Sequence, residues 1–372
     1  MKEIKEILDR VSLFEPDEKA ILATVVDVQG SGYRLPGARM LILETGETYG
    51  MISGGCLESD VLERAKKVLK SGLGEIFVYD TTNEEDSVFS LNMGCRGVIR
   101  ILLEPIGQDS SLLKNLRHVR DDRNKRTIAT LISSSKAEPG GRIYYAGDGH
   151  FTFDKLPDFL EASDSLRDEC VRFHNDNSDY RLQDFPAAEC EFEFAFEAVR
   201  PPVHVLLFGA GADAVPFART VSNLGWQLTV SDHRPAFLTS ERFADADQLV
   251  LTKREEKIEL PITDARTVAV VMTHNYEHDR RILPVLLRSN VECIAVLGPK
   301  RRTEQMLGEI SAHGENFTSD QLARLYAPAG LDIGADTPEA IALSIAAEIQ
   351  SVLKARDGGH LRNRKGSIYD RK

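Results

Sequence analysis

Two cysteines in this chain stand where a thiolate is chemically useful. Cys56 lies in Ser53-Gly54-Gly55-Cys56-Leu57-Glu58, between two glycines and the start of a helical pattern. Unsatisfied N–H groups and the positive end of a helix favour a thiolate there, and the same position receives anions. Cys95 lies in Met93-Gly94-Cys95-Arg96-Gly97, a second glycine-flanked loop before an apolar run. Thiolates are soft ligands, so the two together suggest a shared metal or a shared sulfur chemistry across the ends of one sheet. Their separation is not a zinc spacing. Taken singly, each is also readable as a small buried side chain at a strand end.

A second constellation is Gly209-Ala210-Gly211-Ala212-Asp213-Ala214, which fits G-x-G-x-x-A. An apolar run over 203–208 precedes it. A helical stretch follows to about Leu224, with Pro216 near its first turn and Gly225 just past its end. The next apolar run, 227–231, stops at Asp232, roughly 20 residues beyond the first glycine. In a Rossmann-type unit Gly209 makes the tight turn and Gly211 lets a pyrophosphate approach. Ala214 packs helix on strand, and Asp232 holds a ribose hydroxyl. His274 follows the run 267–272, beyond the strand end where open α/β sheets bind ligands. These residues alone read as an NAD(P)-dependent oxidoreductase with His274 as acid or base. His274 and His278 are one helical turn apart and could face a metal, but no third ligand stands nearby. Lys300-Arg301-Arg302 at a helix start suits an anion such as a phosphate, or a solvated turn.

The elements that must carry these residues can be read from periodicity. Residues 3–14 form an amphipathic helix with Ile4, Ile7, Leu8 and Val11 on one face. Strands are expected over 20–28, 38–43, 48–52, 75–79, 98–103, 127–133, 142–145 and 191–199. In the last of these Phe192, Phe194 and Phe196 alternate with Glu191, Glu193 and Glu197, the pattern of a half-buried strand. A helix after Cys56 places Val61, Leu62, Ala65, Val68 and Leu69 along one stripe. Residues 108–126 read as a charged helix. Residues 154–189 are polar and carry no clear pattern, and Cys170, His174 and Cys190 take structural or solvent roles. Arg200-Pro201-Pro202 is the best linker. Beyond it, apolar runs at 203–208, 227–231, 248–251, 267–272 and 293–297 alternate with helical stretches, which indicates a parallel sheet. Thr337-Pro338-Glu339 supplies a cap, a first-turn proline and an acid for a long helix striped by Ile341, Ile345, Ile349, Val352 and Leu353. The expected fold is α/β. An N-terminal α/β domain spans 1–200, a Rossmann-type parallel sheet spans 203–325, and a closing C-terminal helix with a basic tail spans 326–372.

The totals narrow the function. With 42% hydrophobic residues the 372-residue chain can bury ordinary cores. A net charge of −12 argues against binding a phosphate backbone, so no nucleic-acid partner is expected. No apolar run approaches the ~18 residues of a membrane span. The opening MKEIKEILDRVSLF lacks a signal-peptide core. Five cysteines without close pairs fit a reducing compartment, and the expectation is a cytoplasmic protein.

The motifs in their order resemble the XdhC/CoxI family, accessory factors of xanthine dehydrogenase and related molybdenum hydroxylases. The first half carries GSGYRLPGARM, SGGCLESD and GCRG followed by VIRILLEP. The second carries LLFGAGADAVP, LGWQLTVSDHRP, RFADAD, VMTHNYEHD, VLGPKRR and APAGLDIGADTPEAIALSIAAEI, and the tail adds RKGSIYDR. Residues 108–190 carry none of these motifs. The resemblance implies an N-terminal α/β domain, a C-terminal Rossmann domain and a protein that binds the molybdenum cofactor (molybdopterin). It implies protection of that cofactor while it receives its terminal sulfur, and help with its insertion. The implied partners are the apo-form of a xanthine dehydrogenase-like hydroxylase and a cysteine desulfurase, with a homodimer supported by the apolar C-terminal helix. Cys56 and Cys95 are then the residues that ligate molybdenum or carry sulfur, and Gly54, Gly55, Arg34 and Arg96 face the pterin and its phosphate. Some members carry a histidine after the second fingerprint glycine, where this chain has Ala212. NAD or another nucleotide on Gly209, Gly211, Asp232 and His274 stays open as an alternative, as does a non-catalytic assembly scaffold.

Overall fold

The structure is a computed structural model. It describes the chain except residues 1, 31, 56, 81–96, 177, 188–189, 254–255, 257, 262, 367 and 369–372. Cys56, Cys95 and Arg96 therefore lie outside the described residues. The chain divides into two units, Met1–Pro201 and Pro202–Lys372.

The first unit is built on two five-stranded antiparallel sheets. One is ordered β3-β2-β1-β5-β4, from β1 (Ala20–Gly30), β2 (Arg39–Leu43), β3 (Thr48–Gly50), β4 (Glu75–Asp80) and β5 (Gly97–Ile106). The other is ordered β8-β7-β6-β10-β9, from β6 (Arg126–Ser133), β7 (Arg142–Tyr145), β8 (Phe151–Asp154), β9 (Tyr180–Ala187) and β10 (Cys190–Val199). Leu22, Leu41 and Ile106 of the first sheet share a core with Ile128, Tyr144 and Val199 of the second, closed by α1 (Lys2–Val11) and α3 (Ser111–Asp121). Helix α2 (Glu58–Ser71) covers the first sheet with Val61, Ala65 and Val68. Helices α4 (Asp158–Glu161) and α5 (Asp164–Asn175) cover the second, where Phe192, Phe194 and Phe196 are fully buried as their alternation predicts.

Ionic forks cross between these sheets. Arg142 of β7 grips Glu104 of β5 with both side chains buried. Arg39 of β2 pairs with Glu197 of β10 at 2.9 and 2.5 Å. Arg100 of β5 reaches Glu193 of β10 at 2.6 and 2.8 Å and Asp27 of β1 at 3.0 Å. A bidentate guanidinium–carboxylate pair satisfies donors and acceptors together, which is what permits charge in such a place.

The second unit is a six-stranded parallel sheet ordered β13-β12-β11-β14-β15-β16. Its strands are β11 (His204–Phe208), β12 (Gln227–Asp232), β13 (Gln248–Leu251), β14 (Thr267–Val271), β15 (Cys293–Val296) and β16 (Leu325–Tyr326). Both faces are covered, so the strands are apolar on both sides. Along β11, Val205 and Leu207 join α6 (Ala214–Asn223) and α10 (Pro338–Leu353). Leu206 and Phe208 face the other way, toward α7 (Tyr276–Arg288) and α8 (Lys300–Ala312). The stretch 326–372, set apart in the sequence reading, contributes Ala342, Ile345, Ala346 and Ile349 of α10 to the core of this same unit. Helix α9 (Ser319–Ala323) leads into β16. Between β13 and β14 the described residues form no helix, and Ile258 and Leu260 lie against the second face.

Candidate functional site

The strand order reverses between β11 and β14, and the glycine loop leaves β11 at that switch point, where ligands of open α/β sheets bind. Gly209 has φ +115°, and any Cβ there would run into the Met272 carbonyl at the end of β14. Its glycine identity thus answers to strand packing as well as to a ligand.

The loop is anchored from three sides. Asp232 at the end of β12 accepts from the Ala210 N–H at 2.7 Å. It also accepts from Arg234, through backbone N at 2.8 Å, Nε at 2.9 Å and Nη2 at 2.7 Å. A carboxylate has about four lone-pair sites, and here all four are in use. Asp232 is 2% exposed. In this structure the side chain pins the loop, with Arg234 and the Ala210 N–H on its acceptor sites. Burial pushes its pKa up, but Arg234 and the N–H of Ala210 more than offset this and bring it to about 2. Arg242, in the RFADAD motif, donates to the carbonyls of Ala210 (3.0 Å) and Gly211 (3.2 Å). Phe237 lies under both guanidinium groups, 4.4 Å from Arg234 and 5.1 Å from Arg242.

The third contact occupies the place that Gly211 leaves open. A Cβ on Gly211 would lie 2.7 Å from Oδ1 of Asp213, so the chain's own carboxylate curls over this glycine. Its Oδ2 meets Nε2 of His274 at 2.8 Å. His274 sits at the end of β14 as expected, with φ +56°, a conformation rarely taken by a residue that is not glycine. Asp213 ends up before α6 without capping it. His274 and His278 do not act as a pair: His274 turns to Asp213, whereas the His278 ring lies against His233 with centroids 5.4 Å apart. Of the three cations at the start of α8, Arg302 pairs with buried Asp279 at 2.7 Å, and Lys300 approaches Glu304 at 3.9 Å.

In the first unit the described part of the Cys56 loop has a built frame. The Ser53 hydroxyl donates to Glu58 and accepts from the N–H groups of Gly55 and Leu57, each at 3.2 Å. The Ser53 N–H also donates to Glu58 at 2.9 Å. Gly55 has φ +105° and open space where a Cβ would stand. A Cβ on Gly54 would touch the ring of Tyr33 at 3.5 Å, and Tyr33 is more than half exposed. Arg34 is committed to an ion pair with Glu3. Burial pushes the Cys170 and Cys293 thiols up to about 12, which makes both inert. Cys190 lies 3.2 Å from the Ser135 hydroxyl. Among the described residues no group of three His, Cys, Asp or Glu side chains could hold a metal. Asp213, Arg234, Arg242, Ser53 and Glu58 were not singled out in the sequence. The signals for them were an acid at a variable fingerprint position and arginines in the SDHRP and RFADAD motifs.

Comparison with known proteins places the chain. A family described as XdhC and CoxI matches residues 13–80, and one described as the XdhC Rossmann domain matches 205–349. The chain is 34% identical over 338 residues to a Bacillus subtilis (strain 168) protein named as a probable xanthine dehydrogenase subunit, covering 91% of this chain and 94% of that one. The chain belongs to the XdhC and CoxI family. A crystal structure described as a xanthine dehydrogenase from Bacillus halodurans is 28% identical with a TM-score of 0.75, covering 96% of this chain and 97% of that one. An Escherichia coli (strain K12) protein named molybdenum cofactor insertion chaperone PaoD is 22% identical over 333 residues, 90% of this chain and 83% of that one. The six-stranded parallel sheet is thus the XdhC Rossmann domain. No helix among the described residues is long and apolar enough to cross a membrane.

Proposed function

We propose that this XdhC-family protein is an accessory factor that binds the molybdenum cofactor and aids its sulfuration and insertion into a xanthine dehydrogenase-type hydroxylase. The observation that carries this reading is similarity over nine-tenths of the chain to a protein named as a molybdenum cofactor insertion chaperone, within a family named for xanthine dehydrogenase. The residues around position 56 fit such a group. Gly55 leaves open backbone that a Cβ would fill, and the Tyr33 ring flanks Gly54 as a planar wall suited to a planar pterin. When bound, the cofactor supplies a metal that takes soft ligands.

The chain's own part is to hold and shield. Ser53, held by Glu58, accepts from the N–H groups of Gly55 and Leu57, so those two groups are held before any ligand arrives. On this reading Cys56 and Cys95 are the soft ligands or sulfur carriers, with Arg96 beside them facing phosphate. The dehydrogenase reading is weaker, because Asp232 has no acceptor left for a ribose.

The test is to purify the protein natively and assay bound pterin, then measure activation of the apo-hydroxylase. Cys56→Ala and Cys95→Ala proteins are expected to lose retained pterin and to activate poorly. Full retention and full activation by both variants would sink the cysteine assignment. Activation without any bound pterin would leave an assembly scaffold as the function.

A further inference from the structure

Three buried polar atoms between the two sheets of the first unit have no hydrogen-bond partner in the protein: Thr24 Oγ1, Arg39 Nε and Tyr144 Oη. Their residues are 5%, 2% and 1% exposed. Buried polar groups in folded proteins are ordinarily paired, with other protein groups or with ordered water. A buried hydroxyl or guanidinium N–H left alone bears the full cost of its lost hydration.

The strands bring these three residues into one layer. Thr24 of β1 stands directly opposite Arg39 of β2, so both side chains leave the same face of the first sheet. That face is the inner one, because Arg39 reaches across to Glu197 of the second sheet. Glu197, Ile128 and Tyr144 are successive partners across β10, β6 and β7, and form one row that faces back. Tyr144 shares a core with Leu22 and Leu41, the neighbouring inward pair on β1 and β2. Burial raises the Tyr144 pKa, while the Arg142 guanidinium and, less strongly, that of Arg39 act against the rise, so the hydroxyl is within reach of both charges.

The donor set selects the occupant. Nη1 of Arg39 donates to the Gly37 carbonyl and to Glu197, and Nη2 donates to Glu197. The guanidinium is thus clamped, and Nε–H is a fixed donor that no protein group meets. Each hydroxyl can donate and accept. Apolar Leu22, Leu41 and Ile128 fill the rest of the layer and leave no route for a large or charged ligand. A buried water typically makes about three hydrogen bonds, the number on offer here.

We propose that the sandwich encloses a structural water site, in which one or two water molecules accept from Arg39 Nε and bond to the hydroxyls of Thr24 and Tyr144. The site completes the seat of Arg39, whose Nη1 holds the Gly37 carbonyl at 2.9 Å at the foot of the loop that carries Tyr33. The inference does not rest on the accessory-factor reading.

The experiment joins a crystal structure of the full chain, at a resolution that shows ordered water, to urea unfolding of Thr24→Val, Tyr144→Phe and the double variant. Density is expected within hydrogen-bond distance of Arg39 Nε and of at least one of the two hydroxyls. Val and Phe keep the side-chain shape and drop the hydroxyl. With water bound, each change strips a partner from it, and the urea midpoint by far-UV circular dichroism is expected to fall. In a dry layer each change removes an orphaned polar atom, and the midpoint rises. Because both hydroxyls serve one site, the double variant is expected to lose less than the two single losses together. The proposal is overturned if the density is absent, or if the midpoint of either single variant holds or rises. Full additivity in the double variant equally overturns a shared site.

Discussion

Charge is used in opposite ways in the two units. In the first, Arg142–Glu104, Arg39–Glu197 and Arg100–Glu193 cross between two sheets, inside the fold. In the second, the parallel sheet is apolar on both faces, and its charges gather at the strand ends: Asp213, Asp232, Arg234, Arg242 and His274. A sandwich of antiparallel sheets can admit a paired fork wherever an inward position on one sheet meets one on the other. A doubly covered parallel sheet has no such place, so polar work is displaced to the rim. The lesson is that ion pairs in the first unit hold the fold, while those in the second shape a site. Substitutions can break this division or sharpen it.

The largest effect is expected at Arg142. Arg142→Met leaves Glu104 buried and unpaired, which costs about 3–5 kcal/mol. The double variant Arg142→Met with Glu104→Leu is expected to regain most of that loss, because a well-packed apolar pair replaces the fork. Urea unfolding followed by far-UV circular dichroism measures both. A single-variant loss under about 1 kcal/mol would show that this fork does not hold the sandwich.

Asp232 comes next. Asp232→Asn removes the charge that Arg234 grips and weakens the bond to Ala210, at a cost of about 1–3 kcal/mol. Trp226, the sole tryptophan, is buried in the core of the second unit and reports its transition. The same carboxylate makes a pH prediction. Its folded pKa of about 2 lies below the ordinary 3.8, so its contribution is fully present above pH 3.8 and is lost as pH falls toward 2. The Asn variant should lose less stability than the wild type over that window. Parallel acid profiles for the two proteins would contradict the assignment.

The same division explains what the sequence could reveal. Unbroken apolar runs mark β11, β12, β14 and β15 because both faces of that sheet are buried, and the alternation of Phe192, Phe194 and Phe196 marks β10. Residues 154–189 gave no pattern, yet they hold α5 and β9. Glu169 on α5 is 2% exposed, and Arg172 and Arg181 neutralise it, so a buried position carries a charged letter. Arg142 and Arg39 break the hydropathy of their strands in the same way. At the site, the glycines and Asp232 were legible as positions. Their employment was not, since the contact between Asp213 and His274 joins residues 61 apart in sequence at the ends of neighbouring strands. The position of Asp232 suits a ribose hydroxyl, but nothing in the local sequence says that Arg234, two residues later, engages both of its oxygens.

The smallest effect on stability is expected from the pair that distinguishes site from scaffold most directly. Asp213→Asn weakens a contact between a carboxylate and an exposed imidazole, and even a charged pair at the surface contributes only about 0.2–1 kcal/mol, so the Trp226 transition should barely move. Binding should respond much more. The Asp213 carboxylate lies over Gly211, beside the N-terminus of α6, where an incoming phosphate would meet a like charge. Inorganic pyrophosphate, followed by ³¹P NMR, is therefore expected to bind the Asn variant at least about fivefold more tightly than the wild type. His274→Asn keeps a residue tolerant of the left-handed backbone while removing the imidazole, and should leave Asp213 facing the anion without its imidazole partner. Weaker pyrophosphate binding in that variant, together with tighter binding in Asp213→Asn, would assign the two residues opposite roles at one loop. Equal binding across all three proteins would mean that the glycine loop serves only to pack β11 against β14, as Gly209 already does.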